Sequence, residues 1–369
     1  MCIIIQNSSR GTKTMQAIQK TKSPVNALVD SVYDRNMANF WLQKINTLWS
    51  VNQALGKIVK KEQVANDMVT LTIRCNRIFK KAQAGQHHPV LIEINGRTYE
   101  RTYSLCNLDQ DHVQLTVKHV DQGVVSTWLC ETAQVGDVLK FGRPYGEMTL
   151  DKVQEPLVLL AAGSGITPMY SMLQALAQAK KLQNQPIHLL YWVKKKGDAA
   201  FLDIFENWAK SYANVEFQVF YTQENDADER LNSAHLDTIR HIDQATVFAC
   251  GPSGFVATAE GLFDQAKYFQ SEAFSLSPTV NDDVGFVNIT LTKSNKVLAV
   301  AKGESILTAL EQQNVKPTYG CRMGICHKCV CQKVQGSTKN LLDGAVNPEP
   351  NNQIKICVNS AQSDLVIDL

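Results

Sequence analysis

Four and two residues separate Cys321, Cys326 and Cys329, and Cys357 follows after 27 more. A chain that gathers four thiols this way must fold a tight loop against a returning segment, and the spacing matches four thiolates wrapped around a [2Fe-2S] pair. Three sulfurs come from one loop, whose Gly320 and Gly324 let backbone approach a cluster, and the fourth is expected on a distant strand. Zinc is the competing occupant, but a zinc ribbon normally shows two CxxC knuckles and only Cys326/Cys329 forms one. His327 lies inside the loop, yet a Rieske centre needs two His with two Cys, and the cysteine quartet is complete without it. Cys331, two residues past a ligand, reads as a buried apolar thiol.

A 369-residue chain has room for two or three domains. The 44% hydrophobic and 20% charged content supports real cores, and a formal charge of +2 gives no global field for nucleic acid. No apolar run reaches the roughly 20 residues that cross a bilayer. The opening Met1-Cys2-Ile3-Ile4-Ile5 lacks a basic segment and a long enough apolar core for a secretory signal. Four of the ten cysteines bunch between Cys321 and Cys331. That suggests metal in a reducing compartment, so a cytoplasmic address is expected.

Residues 1–37, rich in Ser, Thr, Lys and Gln, read as a mobile arm without assigned function. Within 39–50, Trp41, Ile45, Leu48 and Trp49 fall on one helical face. That face either packs on its own domain or lies on a membrane surface, where indole rings favour the interface. Residues 1–50 thus form an arm with an amphipathic helix. Residues 51–150 show short alternating stretches between Gly and Asp turns, the pattern of a small antiparallel β-barrel. Residues 151–276 alternate apolar strands (157–161, 188–193, 215–221, 246–249) with helices, which predicts a parallel α/β domain. Residues 277–284 read as a linker, and a third domain spans 285–369.

That third stretch resembles a plant-type ferredoxin: a strand pair about Ser294-Asn295, then Gly303-Glu304-Ser305-Ile306-Leu307 opening a helix, then the cysteine loop. The resemblance implies an α+β, β-grasp fold. Photosynthetic ferredoxins are acidic, whereas nine Lys/Arg face six Asp/Glu here, or +3. A partner with an acidic docking face is therefore expected.

Arg101-Thr102-Tyr103-Ser104 resembles the flavin motif of the ferredoxin-NADP reductase superfamily. The resemblance gives Arg101 the flavin phosphates, Tyr103 the isoalloxazine face and Ser104 a hydrogen bond to the reactive ring nitrogen. Gly123-Val124-Val125-Ser126 matches the family's phosphate turn, where Gly123 and Ser126 would meet an anion at a helix start; the bland reading makes Ser126 an ordinary N-cap. Trp128 resembles the FAD-binding branch rather than the FMN-binding one, and Arg143-Pro144-Tyr145-Gly146 resembles the loop closing the barrel. Gly163-Ser164-Gly165-Ile166-Thr167-Pro168, between a strand and a helix, departs from the Rossmann turn by its third glycine. It resembles the superfamily's own Gly-x-Gly-x-x-Pro form, with Gly163, Gly165 and Pro168 shaping the turn and Thr167 on the nicotinamide side. Cys250-Gly251-Pro252 matches the family's signature beside the carbon that gives up hydride; its alternative is a small buried residue at a strand end. Phe274, in Glu272-Ala273-Phe274, would cover the flavin. Lys194-Lys195-Lys196 follow the second strand, and no acid at that strand end demands a ribose diol, so NADPH is favoured over NADH.

The order flavin, nicotinamide, iron-sulfur implies an NAD(P)H:acceptor oxidoreductase. Hydride would pass beside Cys250 to the ring near Ser104, and single electrons would leave through Cys321, Cys326, Cys329 and Cys357. From about Phe40 the chain resembles bacterial reductases serving membrane fatty-acid desaturases and hydroxylases. The expected acceptor is such a membrane di-iron enzyme, with peripheral contact through Trp41 and Trp49. The runner-up is a Rieske-type aromatic-ring oxygenase, whose reductases share the domain order with FMN. A redox sensor using the cluster as a switch is the alternative of another class.

Overall fold

The computed structural model describes residues 34–121, 123–224, 229–275 and 285–369. Most of the arm and the whole linker expected at 277–284 lie outside these residues. Three bodies follow one another, as the patterning predicts.

The first is a closed antiparallel barrel of β1 (Ala54–Ala65), β2 (Met68–Cys75), β3 (His87–Ile94), β4 (Arg97–Asn107), β5 (His112–Lys118) and β6 (Val138–Phe141), in the order β1-β2-β5-β4-β3-β6. Alternate residues such as Ile58, Leu71, Ile73, Leu105, Leu115 and Leu139 turn inward and are fully or almost fully buried. Closure leaves no strand edge, so the chemistry gathers at strand ends and connecting turns.

The second body is a parallel sheet in the order β11-β10-β7-β8-β9: β7 (Leu157–Ala162), β8 (Ile187–Val193), β9 (Val215–Tyr221), β10 (Thr246–Pro252) and β11 (Tyr268–Ser275). All seven residues of β8 are buried, which explains a sequence that is apolar or aromatic but for His188. The connection order reverses between β7 and β10, so the turn after β7 and the end of β10 open onto one crevice. This body is joined to the barrel by buried contacts, including the Ser171 hydroxyl donating to the Leu105 carbonyl at 3.0 Å.

The third body has a five-stranded sheet, β13-β12-β19-β14-β17, and a small one, β16-β15-β18. Its strands are β12 (Phe286–Leu291), β13 (Lys296–Ala301), β14 (Val330–Gln335), β15 (Thr338–Asn340), β16 (Val346–Asn347), β17 (Asn352–Lys355), β18 (Asn359–Ala361) and β19 (Leu365–Ile367). Ser305 caps a short helix (Ile306–Gln312) by accepting from the Thr308 amide. Cys357 lies in the turn between β17 and β18, not on a strand as expected from sequence.

The first helix among the described residues, α1, runs Arg35–Ile45, earlier than the 39–50 expected, and takes in residues 35–37 of the expected arm. Asp34 caps it by accepting from the Asn36 amide, and the backbone turns extended at Asn46, whose side chain accepts from the Leu48 amide. Leu48 and Trp49 therefore follow the helix instead of lying on it.

Candidate functional site

The end of β4, the turn before a short helix (α2, Val124–Thr127) and the turn after β7 converge on a cavity of about 340 Å³. Arg101, Tyr103, Ser104, Gly123, Ser126, Thr167 and Phe274 line it, and so do Cys321, Arg322 and Met323 of the cysteine loop. Residues more than 200 positions apart in sequence thus share one wall.

The Ser104 hydroxyl is buried without a hydrogen-bond partner, and such an orphan costs about 1–3 kcal/mol unless a ligand satisfies it. Arg101 donates to the Glu100 carbonyl at 2.8 Å; burial, then the nearby Arg322 cation, lowers its pKa. Arg322 is already neutralised by two bonds to Glu311, at 2.5 and 2.6 Å, and its guanidinium lies 4.2 Å from the Tyr319 ring centre. Arg101 is thus the cation left to meet an anion. Burial raises the Tyr103 pKa well above the ordinary phenol value, keeping its ring neutral. Gly123, not Ser126, is the residue before α2, and a Cβ there would sit 2.5 Å from the Ser126 oxygen. The Ser126 hydroxyl donates to the Gly123 carbonyl at 3.1 Å and accepts from the Val120 amide at 3.2 Å, which braces the turn. An orphaned hydroxyl, an available guanidinium and an aromatic wall fit a flavin.

At the crevice, Gly163 has φ +55 and Gly165 packs so tightly that an added Cβ would fall 2.0 Å from the Cys250 carbonyl oxygen. Thr167 and Pro168 are buried at the start of the following helix (α3, Ile166–Gln178), Thr167 donating to the Ser164 carbonyl at 3.1 Å. Gly251 is buried and Pro252 exposed at the end of β10. Cys250 is wholly buried, and burial followed by the Glu272 carboxylate pushes its thiol up. Glu272 is its register partner on β11. The Glu272 carboxyl lies 3.3 Å from Nδ1 of His87, and both are almost fully buried. Burial pushes Glu272 up to about 8 and His87 down to about 4, so the pair is neutral between those values.

A second cavity of about 630 Å³ continues from Gly163 past Lys118, Lys194 and Arg230 to the apolar side chains of Trp192, Leu231 and Phe255. It suits a nucleotide, with an aromatic slot for a base and cations for phosphates. Asp198 also lines it, although no acid was expected at that strand end. Its two oxygens accept from the Asn66 side chain and the Lys195 amide. Lys118 lines both cavities and pairs with Asp67 at 3.0 Å. Sequence reasoning missed Lys118, Arg230 and Arg322. Only Lys118 left a signal, as the last residue of an alternating strand just before the glycine turn.

The four thiols come in two pairs. Cys329 and Cys357 sulfurs are 3.1 Å apart; the Cys321 amide donates to the Cys326 sulfur at 3.1 Å, and the Cys326 and Met323 amides donate to the Cys321 sulfur at 3.3 Å. The Cys321 thiol beside it holds Cys326 below the ordinary thiol value, and the Cys357 thiol does the same for Cys329. Two thiols for each of two metals is the arrangement a diiron rhomb requires, and amide donors suit thiolate sulfur. Among the described residues no three His, Cys, Asp or Glu side chains converge as a single-ion site would need. Arg322 and Gly324 hold positive φ, and a Cβ on Gly320 would lie 2.7 Å from the Cys326 sulfur. Cys331 is buried in the domain core, and burial pushes it up to about 12.

Barrel, crevice and thiol loop together define a flavin- and nicotinamide-binding reductase with its own iron-sulfur domain. Residues 55–150 match the oxidoreductase FAD-binding domain family, 159–261 the oxidoreductase NAD-binding domain family and 289–358 the 2Fe-2S iron-sulfur cluster binding domain family. The chain is 29% identical over 340 residues to an NADPH oxidoreductase of Mycobacterium tuberculosis, covering 89% of this chain and 88% of that protein. It is 27% identical to a phthalate dioxygenase reductase of Burkholderia cepacia, covering 85% and 96%. A solved phthalate dioxygenase reductase has the same fold, with a TM-score of 0.64 at 24% identity over 86% of this chain and 98% of that one. The chain belongs to the ferredoxin-NADP reductase superfamily of flavin reductases, fused to a C-terminal [2Fe-2S] domain. It is an NAD(P)H oxidoreductase whose cofactors are FAD and a [2Fe-2S] cluster.

Proposed function

We propose that this chain draws electrons from NADPH and delivers them through FAD and the cluster to a membrane di-iron fatty-acid desaturase or hydroxylase. It would do so as a cytoplasmic protein held at the inner membrane face through its Trp41/Trp49 segment. The observation that carries the electron route is the shared cavity: Arg101, Tyr103 and Ser104 face the same space as Cys321, Arg322 and Met323. Bound FAD supplies the conversion between hydride and single electrons. The chain's own residues do the placing. Arg101 would hold the phosphates, Tyr103 and Phe274 would pack on the ring, and Ser104 would offer its orphaned hydroxyl to the reacting edge. Gly163 would admit the nucleotide, Gly165 lets the turn close onto the Cys250 carbonyl, and the buried Cys250 would keep the hydride side apolar. The four cysteines hold the exit cluster. Lys194 and Arg230 favour a 2'-phosphate.

The membrane acceptor draws support from the likeness of the chain from Phe40 onward to desaturase reductases and from the exposed apolar side of α1. Membranes containing an acyl desaturase should form unsaturated product when given this chain and NADPH. Brisk cytochrome c reduction without product would overturn that acceptor. A second reading, an aromatic-ring oxygenase partner, is favoured by the match to phthalate dioxygenase reductase. It requires turnover with a Rieske oxygenase component. A sensor role would require that NADPH drive no catalytic reduction of ferricyanide or cytochrome c. NADH turning over as fast as NADPH, unchanged in an Arg230→Ala variant, would remove the NADPH preference.

A further inference from the structure

Helix α1 is fastened by its polar side to residues 50–53, the stretch that leads into β1. Asn39, 3% exposed, accepts from the Ser50 hydroxyl at 2.9 Å and the Val51 amide at 2.8 Å, and donates to the Asn52 side chain at 2.9 Å. Gln43 donates to Gln53 at 3.2 Å. At about 100° per residue the opposite side carries Met37, Phe40, Trp41, Lys44 and Ile45. Its apolar members are 58, 54, 62 and 74% exposed in that order, and Trp49 beyond the helix is 50% exposed. Folding normally buries such a stripe, and here it buries the Asn39 amide, half-buries Gln43 and turns the stripe outward. An outward-facing apolar patch built on a deliberate polar anchor marks an interaction surface.

Charge complementarity says what covers it. A cleft between the chain after α1 and the barrel, bordered by the half-exposed Trp49, is lined by Lys57, Arg74 and Arg77 with a single acid, Asp111. Both arginines are exposed. Lys44 reaches over the Phe40 ring, 5.4 Å from its centre, carrying its charge along the apolar side. Indoles, aliphatic chains and lysine or arginine on adjoining surfaces are what a helix lying in a lipid headgroup region needs.

We propose that this face docks on an anionic lipid bilayer, with Met37, Phe40, Trp41 and Ile45 entering the interface and Lys44, Lys57, Arg74 and Arg77 meeting lipid phosphates. The proposal deepens the membrane-acceptor reading by naming the surface, and its test needs no acceptor. Purified holoprotein is sedimented with vesicles of phosphatidylcholine alone or mixed with phosphatidylglycerol. The full chain should bind the mixed vesicles more tightly, and added salt should weaken the binding. A Trp41→Glu/Ile45→Glu variant should lose about tenfold or more of that binding. An Arg74→Glu/Arg77→Glu variant should lose the preference for anionic lipid, at about tenfold. Both should reduce cytochrome c with NADPH at the parent rate, which certifies their fold and cofactors. Absence of vesicle binding, or binding unchanged in both variants, overturns the proposal. A dimer in solution that Trp41→Glu dissolves would assign the face to a second copy and overturn it as well. A chain that binds vesicles but supports no membrane desaturase keeps this inference and loses only the acceptor.

Discussion

The flavin cavity and the cysteine loop share a wall but are assembled in opposite ways. Three of the four thiols come from one nine-residue stretch, placed by positive-φ turns at Arg322 and Gly324 and by amides aimed at sulfur. The cavity is built from strand ends and turns of the barrel and the α/β body, with the cysteine loop as a third contributor, and its polar contacts wait for a ligand, as the orphaned Ser104 hydroxyl shows. A local device fails alone, whereas a cavity assembled from distant parts transmits its faults to everything downstream.

The largest expected effect separates the two. Cys357→Ser should abolish the cluster's visible spectrum and cytochrome c reduction while NADPH-driven ferricyanide reduction persists at the flavin. Loss of both activities would show that the loop also supports the cavity. Next in size, Ser104→Ala should slow NADPH oxidation about a hundredfold, the scale of losing one donor aimed at a reacting atom. It should also leave the cofactor-free chain as stable as the parent or up to about 1 kcal/mol more so, because an unsatisfied buried hydroxyl is gone. A clear drop in the melting temperature of that apo form would refute the orphan assignment.

A smaller effect concerns pH. Folded Glu272 keeps its proton up to about 8, against 4.5 when free, so the native state holds an extra proton in that window and stability falls as pH rises through it. Folded His87 resists protonation down to about 4, against 6.5, so its contribution rises with pH between those values. The slopes oppose each other up to about 6.5, leaving a net decline from there to 8. Melting curves across pH should show that decline in the parent and a flat line in Glu272→Gln; identical profiles would disprove it. Smallest is the surface contact between the two regions, where Lys328 donates to Glu100 at 2.7 and 2.5 Å. Lys328 is 45% exposed, so the pair contributes no more than about 1 kcal/mol. Lys328→Glu should slow cluster reduction a few-fold in stopped flow at low salt, and adding Glu100→Lys should restore it.

The difference in construction also explains what the sequence disclosed. Cysteine spacing is a local signal, and alternation along β2 and β5 or the apolar run of β7 and β8 reports directly on burial. Arg101 and Arg322, however, meet only because two domains dock, and no local pattern encodes that meeting. Asp198 enters the nucleotide cavity through a turn that reads as solvated charge. For α1 the apolar stripe was legible but not its direction, because the amides of Asn39 and Gln43 bond the stretch 50–53 that follows the helix and so turn the stripe away from it. Cys357 was misplaced onto a strand because spacing fixes which residues meet but not the turn that presents them.

The Glu100–Lys328 pair joins the neighbour of the flavin-facing Arg101 to the neighbour of the iron-facing Cys329. Because binding couplings are reciprocal, whatever filling of the flavin cavity adds to this clasp is returned in equal measure to metal retention in the loop. A clasp of no more than about 1 kcal/mol caps that exchange at roughly fivefold in either direction, so each centre can be lost with little effect on the other.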